Sequence, residues 1–112
     1  MPTRDHTDLV FHALADGTRR DIVEVTLAGE LSVSALGRRY PMSLTAVQKH
    51  VAVLEQAGLV RKRRQGREQL VSADIRAVRN AGVLLERLEA IWMDRLERFS
   101  LVLADQPRAG DL

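Results

Sequence analysis

The stretch from Leu36 to Leu59 constrains the fold of this chain most, because it predicts two short helices joined by a tight turn. Pro41 cannot donate a backbone N–H and disfavours helical geometry in the residue before it, so we expect the first helix to end at Tyr40. Ser43 is a good N-cap for the second helix. Gly58 suits the left-handed position that commonly follows a helix. This order of elements is typical of a helix-turn-helix.

The second helix of this stretch has an apolar face and a polar face. Val47, Val51 and Leu54 recur at spacings of four and three, which predicts a buried stripe. The other face offers methyl, hydroxyl, amide and ammonium groups that can meet base edges or phosphates. Its members are Leu44, Thr45, Gln48, Lys49 and Ala52. An ordinary helical hairpin with a solvated face is the alternative interpretation of this segment alone.

A basic hairpin is predicted directly after the second helix. Residues 61–64 are four cations in a row, Gln65-Gly66 forms the turn, and residues 67–72 return. A hairpin in this position can act as a wing, which reaches phosphates or a minor groove while the helix occupies the major groove. A solvated run of charge is the alternative interpretation.

The charge of the chain is concentrated in this region. The net charge is only +2, but residues 38–72 hold eight cations and two anions, so the rest of the chain is acidic. Such an asymmetry is the electrostatic footprint of a surface that binds a polyanion. A site for phosphorylated small molecules would show the same sign, so charge alone does not identify the partner.

The remaining elements are predicted from periodicity and capping residues. We expect a first helix over His6–Ala15, a second that starts at Asp16 or Thr18 and stops at Gly29, and a third from Ser32 to Tyr40. The apolar side of the second helix should include Ile22, Val23 and Leu27. We expect one folded domain over residues 7–104, with flexible segments at 1–6 and 105–112.

The last helix is long for so small a chain. It is predicted to start at Asp74 and to run to about Ala104, which is roughly 45 Å at the usual rise per residue. Its apolar positions recur at spacings of three and four and include Ile75, Leu85, Leu88, Trp92 and Phe99. This stripe needs another surface, and the same helix of a second subunit is the simplest one. A pocket for a small apolar effector is the alternative.

Composition excludes several other classes of protein. The chain has no cysteine, which excludes disulfides, thiolate metal sites and cysteine nucleophiles. No signal peptide or membrane span is apparent, so we expect a cytoplasmic protein. No Gly-rich phosphate loop and no nucleophile beside a base is present, so we expect neither an enzyme nor a cofactor. His6 and His12 are six residues apart, which does not place two metal ligands on one helix face.

Four segments in this order resemble the ArsR/SmtB family of winged helix-turn-helix repressors. They are LADGTRRDIV at 14–23, ELSVSAL at 30–36, SLTAVQKHVAVLEQAGLV at 43–60 and RKRRQGRE at 61–68. The resemblance covers about residues 9–104. It implies a mainly α fold with five helices and a small hairpin wing, in a homodimer joined by its first and last helices. It also implies binding to double-stranded DNA.

The resemblance assigns residues to these two surfaces. The implied DNA contacts are Ser43, Leu44, Thr45, Gln48, Lys49 and His50 on the helix and Arg61, Arg63, Arg64 and Arg67 on the wing. The implied dimer interface includes Leu9, Leu85, Leu88, Trp92 and Phe99. Leu44 stands where the family often has a polar residue, so it either meets a thymine methyl or packs on the preceding helix.

The chain departs from the family at the usual metal site. Metal-sensing members carry Glu-Leu-Cys-Val-Cys in the third helix, and here the same place reads Glu30-Leu31-Ser32-Val33-Ser34. Hydroxyls are poor ligands for the soft and borderline metals that thiolates bind. The family's other common site uses histidines of the last helix, which has none here. We therefore expect no metal sensing.

Three hypotheses follow from the sequence. The first is a homodimeric repressor at a pseudo-palindromic operator, without metal sensing. The second is a regulator of the same fold whose DNA affinity responds to an unidentified small effector. The third is a winged-helix module for protein–protein contact, in which the basic surface binds an acidic partner.

Overall fold

The computed structural model describes residues 4–105, and these contain five helices and one three-stranded antiparallel sheet. The elements are α1 (Arg4–Leu14), α2 (Gly17–Ala28), β1 (Leu31–Ser32), α3 (Val33–Gly37), α4 (Leu44–Gln56), β2 (Val60–Gln65), β3 (Glu68–Ala73) and α5 (Ile75–Asp105). The predicted fold class, a mainly helical winged helix-turn-helix, is confirmed. The segments predicted to be flexible lie largely outside the described residues, although α1 already begins at Arg4.

The chain divides into two compact units after Ala81. The first contains the helix-turn-helix, the sheet and the start of α5. Its core consists of side chains from every helix of this unit and from the two wing strands, and the largest of them are Ile22, Leu36, Val47, Val51, Leu54, Leu59, Val60 and Val71. The second unit, where described, is the remainder of α5.

Local sequence signals explain where the helices of the first unit begin. The side chains of Asp16, Ser32 and Ser43 each accept a hydrogen bond of 3.0–3.1 Å from the backbone N–H three residues on. Each therefore satisfies one of the donors that a helix N-terminus leaves without a partner. Asp74 does the same for α5, where it accepts a 2.9 Å bond from the backbone N–H of Arg76.

Gly58 follows α4 with a φ of 76°, as predicted for the residue that ends this helix. The Leu59 N–H donates to the Leu54 carbonyl at 2.9 Å, and the Gly58 N–H donates to the Glu55 carbonyl at the same distance. These two bonds close a Schellman motif and direct the chain into β2.

The third helix is shorter than predicted. It ends at Gly37, and residues 38–40 form a turn in which the Arg39 N–H bonds to the Leu36 carbonyl at 3.0 Å. The segment before it contains a strand that was not predicted: β1 pairs with β3 through Leu31–Val71 and Ser32–Leu70. Two residues are too short for a periodic pattern, so the sequence gives no signal for this strand.

One side chain predicted on the apolar side of α2 is exposed. On α2 the buried face consists of Ile22, Val23 and Thr26, and Leu27 lies at its edge, 44% exposed. Thr26 is tolerated inside because its hydroxyl donates to the Ile22 carbonyl at 2.6 Å. Ile75 belongs to the predicted apolar stripe of α5 that needs another surface, and it is 44% exposed in the single chain.

The outer part of α5 exposes a wide apolar face. Every described residue from 85 to 104 is exposed in the single chain. The large apolar side chains of this part are Leu85, Leu88, Ile91, Trp92, Met93, Leu96, Phe99, Leu101, Val102 and Leu103. Among the helices in residues 4–105, none combines the length and the apolar character that spanning a membrane requires.

Candidate nucleic-acid interface

Helix α4 presents a polar surface because its apolar stripe anchors it in the core. Val47, Val51 and Leu54 are at most 1% exposed, so the helix cannot turn about its axis without uncovering them. On the other side the exposed residues are Ser43, Leu44, Thr45, Gln48, Lys49 and Ala52. The polar members of this set supply hydroxyl, amide and ammonium groups in less than three helical turns, a combination that suits a major groove.

Leu44 packs toward the preceding helix while remaining 47% exposed. A Cβ added to Gly37 would lie 3.0 Å from Leu44 Cδ1, so the leucine covers the backbone of α3 at this glycine. This contact favours the packing role that was one of the two expected for Leu44. A side chain at residue 37 would have to displace the end of the Leu44 side chain.

His50 lies between α4 and the start of α2. Its Nδ1 is 3.3 Å from Arg19 Nη1 and 4.0 Å from Asp16 Oδ2, and its side chain is 22% exposed. It is thus the least exposed of the predicted helix contacts. The pKa of Asp16 is lowered, chiefly because its carboxylate accepts the backbone N–H of Arg19.

The turn between α3 and α4 is tied to α2 by Tyr40. Its hydroxyl donates to Asp21 Oδ2 at 2.6 Å. Partial burial and this carboxylate acceptor raise the pKa of Tyr40 to about 12, since both disfavour the phenolate. The bond fixes the turn that precedes the exposed face of α4.

Strands β2 and β3 form the wing. They pair in antiparallel register from Val60–Ala73 at the base to Gln65–Glu68 at the tip. Gly66 has a φ of 62°, which confirms the predicted turn position, where a residue without Cβ is favoured. All predicted wing contacts, namely Arg61, Arg63, Arg64 and Arg67, are exposed.

Three of the wing cations have acidic partners near the base of the hairpin. Arg61 bonds to Asp74 at 2.8 Å, and Lys62 lies 3.3 Å from Glu55 of α4. Arg63 makes two bonds with Glu30, at 3.0 Å and 2.7 Å.

These contacts lower the pKa of the carboxylates concerned. The Arg63 side chain lowers the pKa of Glu30. The pKa of Asp74 is far below its usual range, mainly because Arg76 donates to it from its side chain and its backbone N–H, with Arg61 adding a further bond. Both acids are therefore ionised at neutral pH, and they offset part of the positive charge at the base of the wing.

The tip of the wing is less compensated. Arg64 donates a long 3.4 Å bond to the Gly66 carbonyl, and Arg67 has no ion pair within the described part of the chain. On α4, Lys49 is also exposed and forms no ion pair there. Exposed cations that form no ion pair within the described residues therefore lie on α4 and at the wing tip. Both places are open to a polyanion.

The predicted dimer residues all lie at the surface of the single chain. Leu9 is 40% exposed and Trp92 is 54% exposed. The guanidinium carbon of Arg95 lies 6.0 Å from the centre of the Trp92 ring.

Residues 30–34, where the resemblance to the family implied a possible metal site, make other contacts here. The Ser32 hydroxyl accepts the Ala35 N–H and so caps α3, while Ser34 is exposed on that helix. Within the described residues, no three His, Cys, Asp or Glu side chains come together in a way that could hold an ion. The side chains at residues 30–34 include no thiolate, so they do not fit a metal that prefers sulfur ligands.

Residues that sequence reasoning did not assign also shape this surface. Arg19, Glu30 and Tyr40 bind residues of α4, the wing and α2, respectively, at sequence separations of 19 to 33. Periodicity reports only local structure, so it could not find these long-range pairs.

Comparisons with known proteins agree with this geometry. A helix-turn-helix domain family matches residues 14–63. The HTH-type transcriptional regulator Rv2034 of Mycobacterium tuberculosis is 43% identical over 74 residues, which cover 66% of this chain and 69% of the relative. An uncharacterized HTH-type regulator of Bacillus subtilis, YuzN, is 41% identical over 71 residues, which cover 57% of this chain and 77% of that one.

Two solved structures extend the comparison to the whole fold. The ArsR-like transcriptional regulator from Rhodococcus sp. RHA1 is 33% identical, with a TM-score of 0.76, and the match covers 88% of this chain and 92% of that chain. The homodimeric winged helix-turn-helix DNA-binding domain of Mb0332 from Mycobacterium bovis is 26% identical, with a TM-score of 0.64 and coverage of 80% and 88%. The fold and these relatives lead to one conclusion: the chain belongs to the ArsR family of helix-turn-helix transcriptional regulators.

Proposed function

We propose that the protein is a homodimeric repressor that binds a pseudo-palindromic operator in double-stranded DNA and blocks transcription sterically. The observation that carries this proposal is the exposed polar face of α4 beside a wing with a cationic tip. The amide of Gln48 is suited to base edges, and Lys49 and the tip arginines are suited to phosphates. These base and phosphate contacts require no catalysis, no cofactor and no membrane. We place the protein in the cytoplasm, where it would meet its operator.

The proposed contacts divide into two groups. On the helix they are Ser43, Leu44, Thr45, Gln48, Lys49 and His50, and on the wing they come from Arg61, Arg64 and Arg67, while Arg63 is bound to Glu30. Leu44 and His50 lie at the margins of the helix face, since one packs over α3 and the other faces α2. Thr45, Gln48 and Lys49 therefore form the centre of the proposed surface.

The exposed face of α5 supports the homodimer. Trp92 and Phe99 are more than half exposed, and water contact of so many large apolar groups is unfavourable in a single chain. A second copy presents the same stripe, which makes a two-fold interface self-complementary. Two recognition helices related by such an axis read two half-sites separated by about one turn of DNA or a multiple of it.

The second candidate is a regulator that responds to a small apolar effector. One face of the outer part of α5 combines apolar side chains with two guanidinium groups, namely Trp92, Arg95, Leu96, Arg98, Phe99 and Val102. This combination would suit an amphipathic anion. A single exposed helix encloses no cavity by itself, so the dimer interface is the preferred assignment.

The test is recovery of bound genomic fragments by the purified protein, followed by footprinting of the best fragment. We expect a protected segment with two related half-sites and a binding stoichiometry of two chains. Equal affinity for the recovered fragment and for random duplex would contradict the operator. Retention of an acidic protein with no preference for DNA would favour the protein-interaction module instead.

A further inference from the structure

We propose that the neighbouring wing residues Arg63 and Arg64 have different tasks: Arg63 positions the wing through Glu30, and Arg64 supplies a phosphate contact to DNA. This inference rests on the proposed DNA-binding function and divides the wing arginines by the face of the hairpin on which each one lies.

Arg64 lies on the face of the wing that is turned toward the recognition helix. Side chains two apart on a strand share a face, so Val60, Lys62 and Arg64 point the same way. Val60 is only 1% exposed because this face packs on the core. Lys62 Nζ lies 3.3 Å from Glu55 Oε1 of α4, which fixes the orientation of this face independently. Arg64 follows at its outer end.

Arg63 lies on the opposite face and is engaged there. Its Nε donates to Glu30 Oε2 at 3.0 Å and its Nη2 donates to Glu30 Oε1 at 2.7 Å, so the two planar groups meet edge to edge. Such a bidentate pair fixes both side chains in direction as well as distance. The side chain of Arg63 is 57% exposed and that of Glu30 is 29% exposed, so the carboxylate is the more enclosed partner.

The pair spans the whole sheet. The strand order is β1-β3-β2, and Arg63 and Ser32 are both register partners of Leu70 on the central strand β3. Glu30 immediately precedes β1, so the bond from Arg63 passes over β3 and joins the two outer strands. A contact of this kind sets the direction in which the hairpin leaves the core.

The charges argue against a phosphate contact by Arg63. If its guanidinium turned to DNA, it would leave Glu30 as an uncompensated carboxylate near the phosphate backbone, which is repulsive. Arg64 carries no such constraint, because its one bond among the described residues is a 3.4 Å contact with the Gly66 carbonyl. Gln69, the register partner of Arg64, lies on the same face and adds an amide donor beside it.

The experiment measures how binding to random duplex DNA depends on salt, using the unmodified chain and three variants. Each lost phosphate contact should lower the slope of log affinity against log salt by about one unit. We expect this loss for Arg64→Gln. The double variant Glu30→Gln/Arg63→Gln has the same net charge as the wild type and should keep its slope.

The single variant Glu30→Gln makes the test independent of how the double variant folds. If Arg63 is a DNA contact restrained by Glu30, its release should raise the slope by about one unit, which would overturn the proposal. We expect the slope to stay unchanged and the affinity for the footprinted operator to fall about threefold or more, because the wing loses its fixed direction. A slope loss in the double variant equal to that of Arg64→Gln would also overturn the division.

A failure of the division is distinguishable from a failure of the proposed function. If the wild-type protein binds neither random duplex nor any genomic fragment at low salt, the proposed DNA-binding function itself is wrong. If wild-type binding depends on salt but Arg64→Gln leaves the slope unchanged, only the division between the two arginines is wrong. The rate of amide hydrogen exchange in β2 should rise in Glu30→Gln but not in Arg64→Gln. Removing one charge without loosening the wing would not produce this difference.

Discussion

Arg19 Nη1 lies 3.3 Å from Nδ1 of His50 and thereby links the start of α2 to the middle of α4. The same guanidinium donates to the Ala13 carbonyl at 2.7 Å and to the His12 carbonyl at 3.1 Å. Both carbonyls belong to the last turn of α1, where the helix supplies no donor four residues on, although the His12 carbonyl also accepts the Ala15 N–H at 3.2 Å. One side chain therefore joins three helices. Arginine only donates, so this pair is a hydrogen bond in the tautomer that leaves Nδ1 of His50 without a proton.

The first prediction concerns the stability that Arg19 provides. Arg19→Met should lower the free energy of unfolding by about 1–3 kcal/mol, because carbonyls and an imidazole lose a charged donor. Urea unfolding followed by circular dichroism measures this loss. Arg20→Met is the matched control, since Arg20 donates to one carbonyl only, that of Leu14. Equal losses in the two variants would show that the link to α4 contributes nothing.

A second prediction uses the protein's single tyrosine. Tyrosinate absorbance should report a transition near pH 12, the value that burial and the bond to Asp21 give Tyr40, and not near the ordinary value of about 10. Asp21→Asn removes the carboxylate charge and should move the transition downward. A transition near 10 in the wild type would mean that this bond is absent in solution.

The same bond contributes to stability with a defined pH dependence. The folded pKa of Tyr40 is raised, so its contribution is complete below about pH 10 and is lost as the pH rises toward 12. Tyr40→Phe should therefore cost about 1 kcal/mol at neutral pH, and the difference from wild type should shrink above pH 10. A constant difference up to pH 12 would contradict this linkage.

The third prediction separates base reading from phosphate contact on α4. Gln48→Ala should weaken binding to the operator by about 1–3 kcal/mol and leave binding to random duplex nearly unchanged, if its amide reads a base edge. Lys49→Ala, one residue on, should weaken both by similar factors and lower the salt slope by about one unit. Titrations on both duplexes at several salt concentrations measure this. If Gln48→Ala weakened binding to the operator and to random duplex by equal factors, Gln48 would not contribute to sequence specificity.

Local signals predicted most of the recognition region. The caps at Ser32 and Ser43, the buried stripe of α4 and the positive φ of Gly58 and Gly66 all depend on residues close in sequence. Such features can be predicted from the sequence because one side chain and its near neighbours decide the local conformation.

The errors have a common physical cause. The end of α3 at Gly37 and the exposure of Leu27 depend on tertiary packing, which a periodic pattern does not contain. Wing arginines that look alike in sequence differ in the folded chain because strand alternation gives Arg63 an acidic partner from a distant segment and gives Arg64 none. The sequence therefore predicted that these arginines lie on the wing, whereas the fold shows that their contacts differ.

The fourth prediction tests the proposed dimer through the single tryptophan of the chain. If α5 pairs with its copy, Trp92 is covered in the dimer, and dilution into the monomer range should shift its fluorescence to the red. Trp92→Ala should weaken the dimer by about 3–5 kcal/mol if the site is well packed. Sedimentation measures the mass of each form.

Met93→Ala is the control for this experiment. Met93 is as exposed as Trp92, at 55% against 54%, but points about 100° away around the helix. It should leave the dimer nearly unaffected. A wild-type monomer at micromolar concentration would contradict the dimer, and equal effects of the two variants would place the interface on a different face of α5.

The last prediction is that metals do not regulate this protein. The places of two cysteines in metal-sensing relatives are taken by Ser32 and Ser34, whose neutral hydroxyls are poor ligands for Zn²⁺, Cd²⁺ or As(III). The Ser32 hydroxyl is moreover engaged by the Ala35 N–H. A metal with no differential affinity for the free and DNA-bound forms cannot shift the equilibrium between them.

Operator titrations with a chelator, or with micromolar Zn²⁺, Cd²⁺, Ni²⁺ or arsenite, should therefore give the same affinity within error. A paired variant, Ser32→Cys/Ser34→Cys, is the positive control, because thiolates restored at these positions should gain affinity for the softer ions. A reproducible loss of about tenfold in the wild type, or about 1.4 kcal/mol of coupling, would reveal a site elsewhere. His6 and His12 of α1, joined by ligands from a second subunit, would then be the first residues to replace.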